Sequence, residues 1–148
     1  MDNATEHKET GPLKGLKVID LSHIMAGPAC SMLLADMGAD VIKVEKIPDG
    51  DDARRMVPPT IADESAAFLI MNRNKRGIAL DLRAQAGRSV LSRLLKNADV
   101  LIENFRQGTM EQMGFGYDAV HALNPKLIYC SISGFGRKCF CARAKRMW

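Results

Sequence analysis

The chain is poor in aromatic residues, 5% of 148, and has no apolar run near the roughly 18 residues that a membrane-spanning helix needs. Residues 1–12, MDNATEHKETGP, contain no apolar stretch. They are therefore not read as a secretory signal, and a cytoplasmic location is expected. The four cysteines do not form a disulfide framework. Cys30 and Cys130 stand alone in apolar segments and are expected as small core residues. Cys139 and Cys141 make a lone C-x-C, two thiolates where a structural zinc takes four ligands, so no metal is expected. The dinucleotide fingerprint G-x-G-x-x-G, the P-loop, the G-x-S-x-G elbow and the H-E-x-x-H zinc motif are all missing, which sets aside the enzyme classes built on them. There is neither an internal repeat nor a low-complexity linker.

What is present is an ordinary globular composition, 47% hydrophobic and 26% charged, in a length that suits one domain with a buried core. The net charge of +4 is unevenly spread. Residues 137–148, RKCFCARAKRMW, carry five cations and no acid, which leaves residues 1–136 at −1. Nucleic-acid binding is therefore not expected of the body of the protein and is a weak alternative confined to the basic tail.

Hydrophobic periodicity gives an alternating pattern of strands and helices. Strands are expected at 16–21 (LKVIDL), 40–45 (DVIKVE), 78–82 (IALDL), 99–103 (DVLIE) and 127–132 (LIYCSI). Helices are expected from Pro28 to Gly38, over 84–97 with Val90, Leu91, Leu94 and Leu95 on one face, and over 109–113 and 117–124. The segment 46–74 is looser, with a turn at Pro48 to Asp52 and a short helix within 62–72. Such alternation argues for an α/β fold, a mostly parallel sheet with flanking helices and right-handed crossovers.

In open α/β sheets ligands bind beyond the carboxyl ends of the strands, which makes residues 99–114, DVLIENFRQGTMEQMG, the stretch of most interest. The alternative is a surface loop with a helix cap. Residues 22–28, SHIMAGP, leave the first strand for a helix start, where free N–H groups suit a phosphate; a plain turn and cap is the alternative. His23 is either a general base or a hydrogen-bonded structural residue. Lys43, Lys46, Arg54, Arg55, Arg73, Lys75, Arg76 and Arg83 would suit phosphates or a carboxylate, or form a solvated charged surface. Asp20, Asp36, Glu45, Asp81, Asp99, Glu103 and Asp118 are acidic candidates whose spacing defines no pair.

Five segments in order resemble one family, the class III (CaiB/BaiF-type) CoA-transferases, to which alpha-methylacyl-CoA racemases are related. They are LKGLKVIDLSHIMAGP, LADMGADVIKVEK, NRNKRGIALDL, ADVLIENFRQGTMEQMGFGY and NPKLIYCSISGFG. The resemblance implies a Rossmann-like CoA-binding domain over 13–136, between a flexible leader at 1–12 and a divergent basic tail at 137–148, truncated before a second domain. It further implies an interlaced homodimer in which CoA passes from an acyl-CoA thioester to a carboxylic acid through a nucleophilic aspartate. CoA contacts carried over by position are Met25, Ala26, Lys46, Leu80, Asp81, Leu82, Arg83, Asn104, Phe105, Arg106 and Gln112.

Two of these depart from the family pattern, Met25 where several members have Gln and Gln112 where some have Arg. The family's catalytic aspartate falls beyond Gly136, so the resemblance assigns no catalytic residue here and the 148-residue chain is expected to be inactive alone. The alternatives are a non-catalytic fragment that binds CoA or a nucleotide and a fragment of an acyl-CoA racemase.

Overall fold

The computed structural model describes residues 11–136. The basic stretch at 137–148, with Cys139 and Cys141, and most of the leader lie outside the described residues. Strand β1 (Lys17–Asp20) is buried from Val18 onward and is followed by α1 (Ala26–Asp36) and β2 (Asp40–Lys46). Helix α1 ends at Gly38, whose φ of 96° lets its N–H reach Ala35 O while Ala39 N–H reaches Leu34 O, the Schellman arrangement that glycine favours.

A 3-10 turn over Asp52–Arg55 leads to a small antiparallel pair, β3 (Thr60–Ile61) and β4 (Glu64–Ser65). Then come α2 (Ala66–Asn72), β5 (Arg76–Leu80), α3 (Gln85–Lys96), β6 (Val100–Glu103), α4 (Thr109–Gln112), α5 (Tyr117–Leu123) and β7 (Ile128–Ser131).

The five long strands form one all-parallel sheet in the order β5-β2-β1-β6-β7. Register sets the two cores through the two-residue period of a strand. The row Val41–Val18–Val100 meets Ala35 and Ala39 on the α1 side. The row Ile42–Ile19–Leu101 meets Leu91 and Leu95 of α3 and Val120 of α5 on the other. Every residue of β6 is buried, as expected of a strand covered on both faces.

The expected α/β architecture is therefore present, with three local differences. The third long strand begins at Arg76 and stops at Leu80, two residues before its expected end, because Asp81 turns the chain. Its carboxylate accepts Arg83 N–H at 2.9 Å and its carbonyl accepts Ala84 N–H at 3.2 Å. The β3/β4 hairpin was not expected, since its turn residues, Ala62 and Asp63, both adopt positive φ without the Asn-Gly signature that usually marks such a turn. Cys30 and Cys130 are only partly buried, packed against the edge of the α1-side core rather than inside it.

Helix α3 is seated by a glycine. A Cβ built on Gly87 would lie 2.1 Å from the backbone oxygen of Asp81, so the first turn of α3 reaches the end of β5 only because no side chain intervenes. In an open helix Gly→Ala gains about 1 kcal/mol. Here Gly87→Ala is expected to lose roughly 1–3 kcal/mol through overpacking. Urea denaturation reads this directly, and a midpoint at or above wild type would show that the contact yields.

Candidate functional site

The strand order reverses at β1. From there the chain proceeds to β2 and β5 on one side and to β6 and β7 on the other, so the carboxyl edge at the loops after β1 and β6 is the switch point where open α/β sheets bind ligands in a crevice. Asn104, the first residue after β6, joins the two loops. Its Oδ1 accepts His23 N–H at 2.8 Å and its Nδ2 donates to His23 O at 2.9 Å. Gly27 lets the start of α1 pack on Ser22 at the beginning of this loop, because a Cβ there would sit 2.2 Å from Ser22 Cβ. The phenyl ring of Phe105 meets the imidazole of His23 edge to face at 5.0 Å between centroids.

Beneath the crevice lies a buried network of charges. The carboxylate of Asp20, fully buried, accepts from Ser22 N–H at 2.9 Å, from the Ser22 hydroxyl, from Ser31 Oγ at 2.5 Å and from Lys75 Nζ at 3.1 Å. Burial alone would raise the pKa of Asp20, but Lys43, Lys75 and the two serine hydroxyls outweigh it and hold the group below its ordinary value. Lys75 is itself pushed down by burial, against the pull of Asp20.

Alongside, Lys43 donates to the carbonyl of Ser22 and pairs with Asp51 at 2.7 Å, their side chains 2% and 0% exposed. Asp51 also accepts Ile24 N–H and Ala53 N–H, each at 2.9 Å. Its pKa is lowered too, since Ala53, Lys43 and Ile24 together overcome the cost of burial. Glu45 closes the network, accepting Asp51 N–H at 2.9 Å and a two-pronged contact from Arg54 at 2.8 Å, while the Arg54 guanidinium lies 3.7 Å over the Phe68 ring.

These bonds decide between the readings left open by the sequence. Lys43 and Lys75 are internal counter-ions, not phosphate ligands or surface charge. Arg73 and Arg76 are exposed and pair with Asp36 and Asp40. Asp20, Glu45, Asp51 and Glu103 are spent on internal hydrogen bonds, Glu103 accepting Phe105 N–H at 2.9 Å. None of the four stands free as a nucleophile. The imidazole of His23 is pushed toward its neutral form, first by burial and then by Lys43, and its buried Nδ1 has no hydrogen-bond partner among the described residues. That arrangement gives it no second group with which to act as a base.

The expected contact residues fall into two groups. Met25 and Ala26 follow β1, and Asn104, Phe105 and Arg106 follow β6, its neighbour in the sheet; of these, Asn104 and Phe105 reach across to the first loop, both at His23. Met25 is 46% exposed and is the N-cap residue of α1, to which it gives no side-chain cap bond. Lys46 and Leu80 are register partners at the ends of β2 and β5, followed by Asp81, Leu82 and Arg83. Lys46 is bonded to Asp52 at 2.8 Å and helps line an open groove of about 370 Å³ with Glu45, Ile47, Gly50, Arg54 and Ala79. Leu80 is buried and Leu82 packs against the core. Gln112 is exposed on α4.

A second cavity of about 200 Å³ opens at the amino ends of the strands, lined by Lys17, Ile19, Asp40, Arg76 and Arg93 among others. The carboxyl edge is the stronger site, because the strand order reverses there and the buried network shapes its loops. Among the described residues no group of three His, Cys, Asp or Glu side chains could hold a metal ion, and no helix is long and apolar enough to cross a membrane.

Sequence reasoning passed over Asp51, which it treated as a turn marker, and Ser31. The available signal was Lys43. A lysine inside the run VIKVE of a strand buried on both faces must find a buried acid.

A family model described as CoA-transferase family III matches residues 13–147. The chain is 47% identical over 132 residues to a succinate–glutarate CoA-transferase of Agrobacterium fabrum, covering 85% of this chain and 33% of that one. It is 44% identical over 127 residues to a formyl-CoA:oxalate CoA-transferase of Bradyrhizobium, covering 86% and 30%. A crystal structure of a CaiB/BaiF family protein from Brucella suis superposes with a TM-score of 0.86 at 46% identity, over 90% of this chain and 36% of that one. The chain thus spans about a third of the length of these relatives.

Proposed function

The chain belongs to CoA-transferase family III, and we propose on that premise that its carboxyl-edge crevice holds the CoA of an acyl-CoA thioester, in a protein that passes CoA to a carboxylic acid. The observation that carries this reading is the convergence of exposed Ile24 and Met25, half-buried Phe105 and an uncapped helix start at the point where the strand order reverses. Apolar side chains suit the pantetheine and adenine parts of CoA, and backbone N–H groups suit its phosphates. Lys46 and Arg83, at the ends of β2 and β5, supply further positive charge.

The named relatives act on succinate and glutarate or on formyl-CoA and oxalate, which makes small carboxylic acids the class of acceptor to test. A cytoplasmic, interlaced homodimer is the proposed setting.

The proposal separates binding from turnover. The four buried carboxylates near the crevice are committed to the fold, and the resemblance assigns no catalytic aspartate to these 148 residues. The chain alone is therefore expected to bind CoA without transferring it. Calorimetric titration with CoA is expected to show saturable binding, weakened roughly tenfold by Phe105→Ala through loss of an aromatic contact worth ~1–1.5 kcal/mol. Absence of heat together with absence of thermal stabilisation would remove the CoA reading. A coupled assay with acyl-CoA and an acceptor acid is expected to show no turnover, and a rate comparable to a full-length relative would overturn the missing-nucleophile argument.

A further inference from the structure

Ile24 holds a backbone conformation that its side chain disfavours. Its φ is 69°, in the left-handed region that a β-branched residue rarely enters, and its side chain is 44% exposed. Burial of Ile24 itself cannot be what keeps it there.

Side chains from three other segments hold the backbone instead. Lys43, on β2, takes the carbonyl of Ser22. Asn104, after β6, takes both the N–H and the carbonyl of His23. Asp51, beyond β2, takes the N–H of Ile24 at 2.9 Å through the same oxygen that accepts Ala53 N–H, while its other oxygen pairs with Lys43. Strain of this kind persists only where its surroundings over-determine it, and it collects at ligand sites.

We infer that Asp51, acting with Asn104, is a positioning residue: it locks residues 22–24 in a strained shape that turns Ile24, Met25 and the first N–H groups of α1 toward the ligand. The inference rests on the CoA reading for the identity of that ligand, while the clamp itself is tested separately. Asp51 touches no ligand atom in this scheme. It acts through the Ile24 amide, and its burial beneath the loop lets it fix the loop without occupying the crevice.

The test is a double-mutant cycle on the 148-residue chain, read by CoA titration and by amide hydrogen exchange. Asp51→Asn is expected to weaken CoA binding about tenfold and to speed exchange at the His23 and Ile24 amides about tenfold more than at Val18 and Leu101 in the central strands, whose exchange reports the stability lost with the Lys43 pair. Glycine adopts positive φ without strain, so in an Ile24→Gly background the same Asp51→Asn change is expected to cost less than about threefold in affinity. A general loss of stability would not be cancelled in this way.

An equal loss in both backgrounds, or unchanged exchange at His23 and Ile24 in Asp51→Asn, overturns the inference. If wild type fails to bind CoA, the CoA reading falls and the exchange result alone decides the clamp. If Asp51→Asn speeds exchange equally at Val18, Leu101, His23 and Ile24, the opening is global, and Asn104→Ala replaces it in the exchange experiment. Local opening at residues 23–24 then supports the clamp, and continued protection there overturns it.

Discussion

Replacing Lys43 with methionine is expected to lower the unfolding free energy by about 3–5 kcal/mol, the cost of leaving one partner of a buried ion pair without the other. Methionine keeps most of the aliphatic stem, so the loss reports the charge. Asp51 would remain fully buried with two backbone N–H groups but no cation, and the carbonyl of Ser22 would lose its donor.

The comparison that makes this informative is Lys46→Met. Lys46 and Asp52 are 2.8 Å apart, against 2.7 Å for Lys43 and Asp51, but their side chains are 46% and 48% exposed, and such pairs contribute about 0–1 kcal/mol. Distance alone would rank the two pairs alike, whereas burial separates them severalfold. Urea denaturation of both variants checks this. A loss for Lys43→Met no larger than that for Lys46→Met would show that water reaches Asp51 and that the network is not sealed.

The elements that could be read from sequence are those whose evidence is local. Val100, Leu101 and Ile102 declared a strand covered on both faces because they are consecutive and apolar. The spacing of Leu91 and Leu95 declared the buried face of α3. The end of β5 was misplaced because it is an edge strand with one neighbour. Its alternation is weak, and a single aspartate, Asp81, decides where it stops.

The site was harder to read, since its partners are far apart in the chain. Lys75 meets Asp20 across 55 residues and Asn104 meets His23 across 81. Asp20, Lys43 and Lys75 were visible as charged residues, but nothing in their spacing showed that they face one another under a loop. Asn104 is the instructive case. The family resemblance implies a ligand contact there, whereas in the structure both ends of its amide are bonded to the His23 backbone, so its first role is to join the loops after β1 and β6.

Stability is expected to fall in two separate steps as the pH is lowered from 7.5, and the first belongs to His23. Burial is the dominant influence on that imidazole, followed by the charge of Lys43, and its pKa is lowered from the ordinary 6.5. Between 6.5 and the lower native value the unfolded chain holds the proton and the folded chain does not. Stability therefore falls with falling pH through that window and levels off below it, by at most about 1.4 kcal/mol for each pH unit of the window.

The second step belongs to the buried carboxylates. Asp20 and Asp51 lie below their ordinary 3.8 and Glu45 below its ordinary 4.5, Glu45 chiefly because Arg54 hydrogen-bonds it. Their contribution is complete above those ordinary values and is lost as the pH drops through the native ones, where protonation releases Lys43, Lys75 and Arg54 from their partners.

His23→Gln should abolish the first step and leave the second. Lys43→Met should start the second at higher pH, because Asp20 and Asp51 lose the cation that lowers them. Urea midpoints measured from pH 7.5 down to about 2 distinguish the two. An unaltered decline from 7.5 to 5.5 in His23→Gln would assign that limb to another group. The loop at residues 22–24 would then not be the part of the fold that senses mild acid.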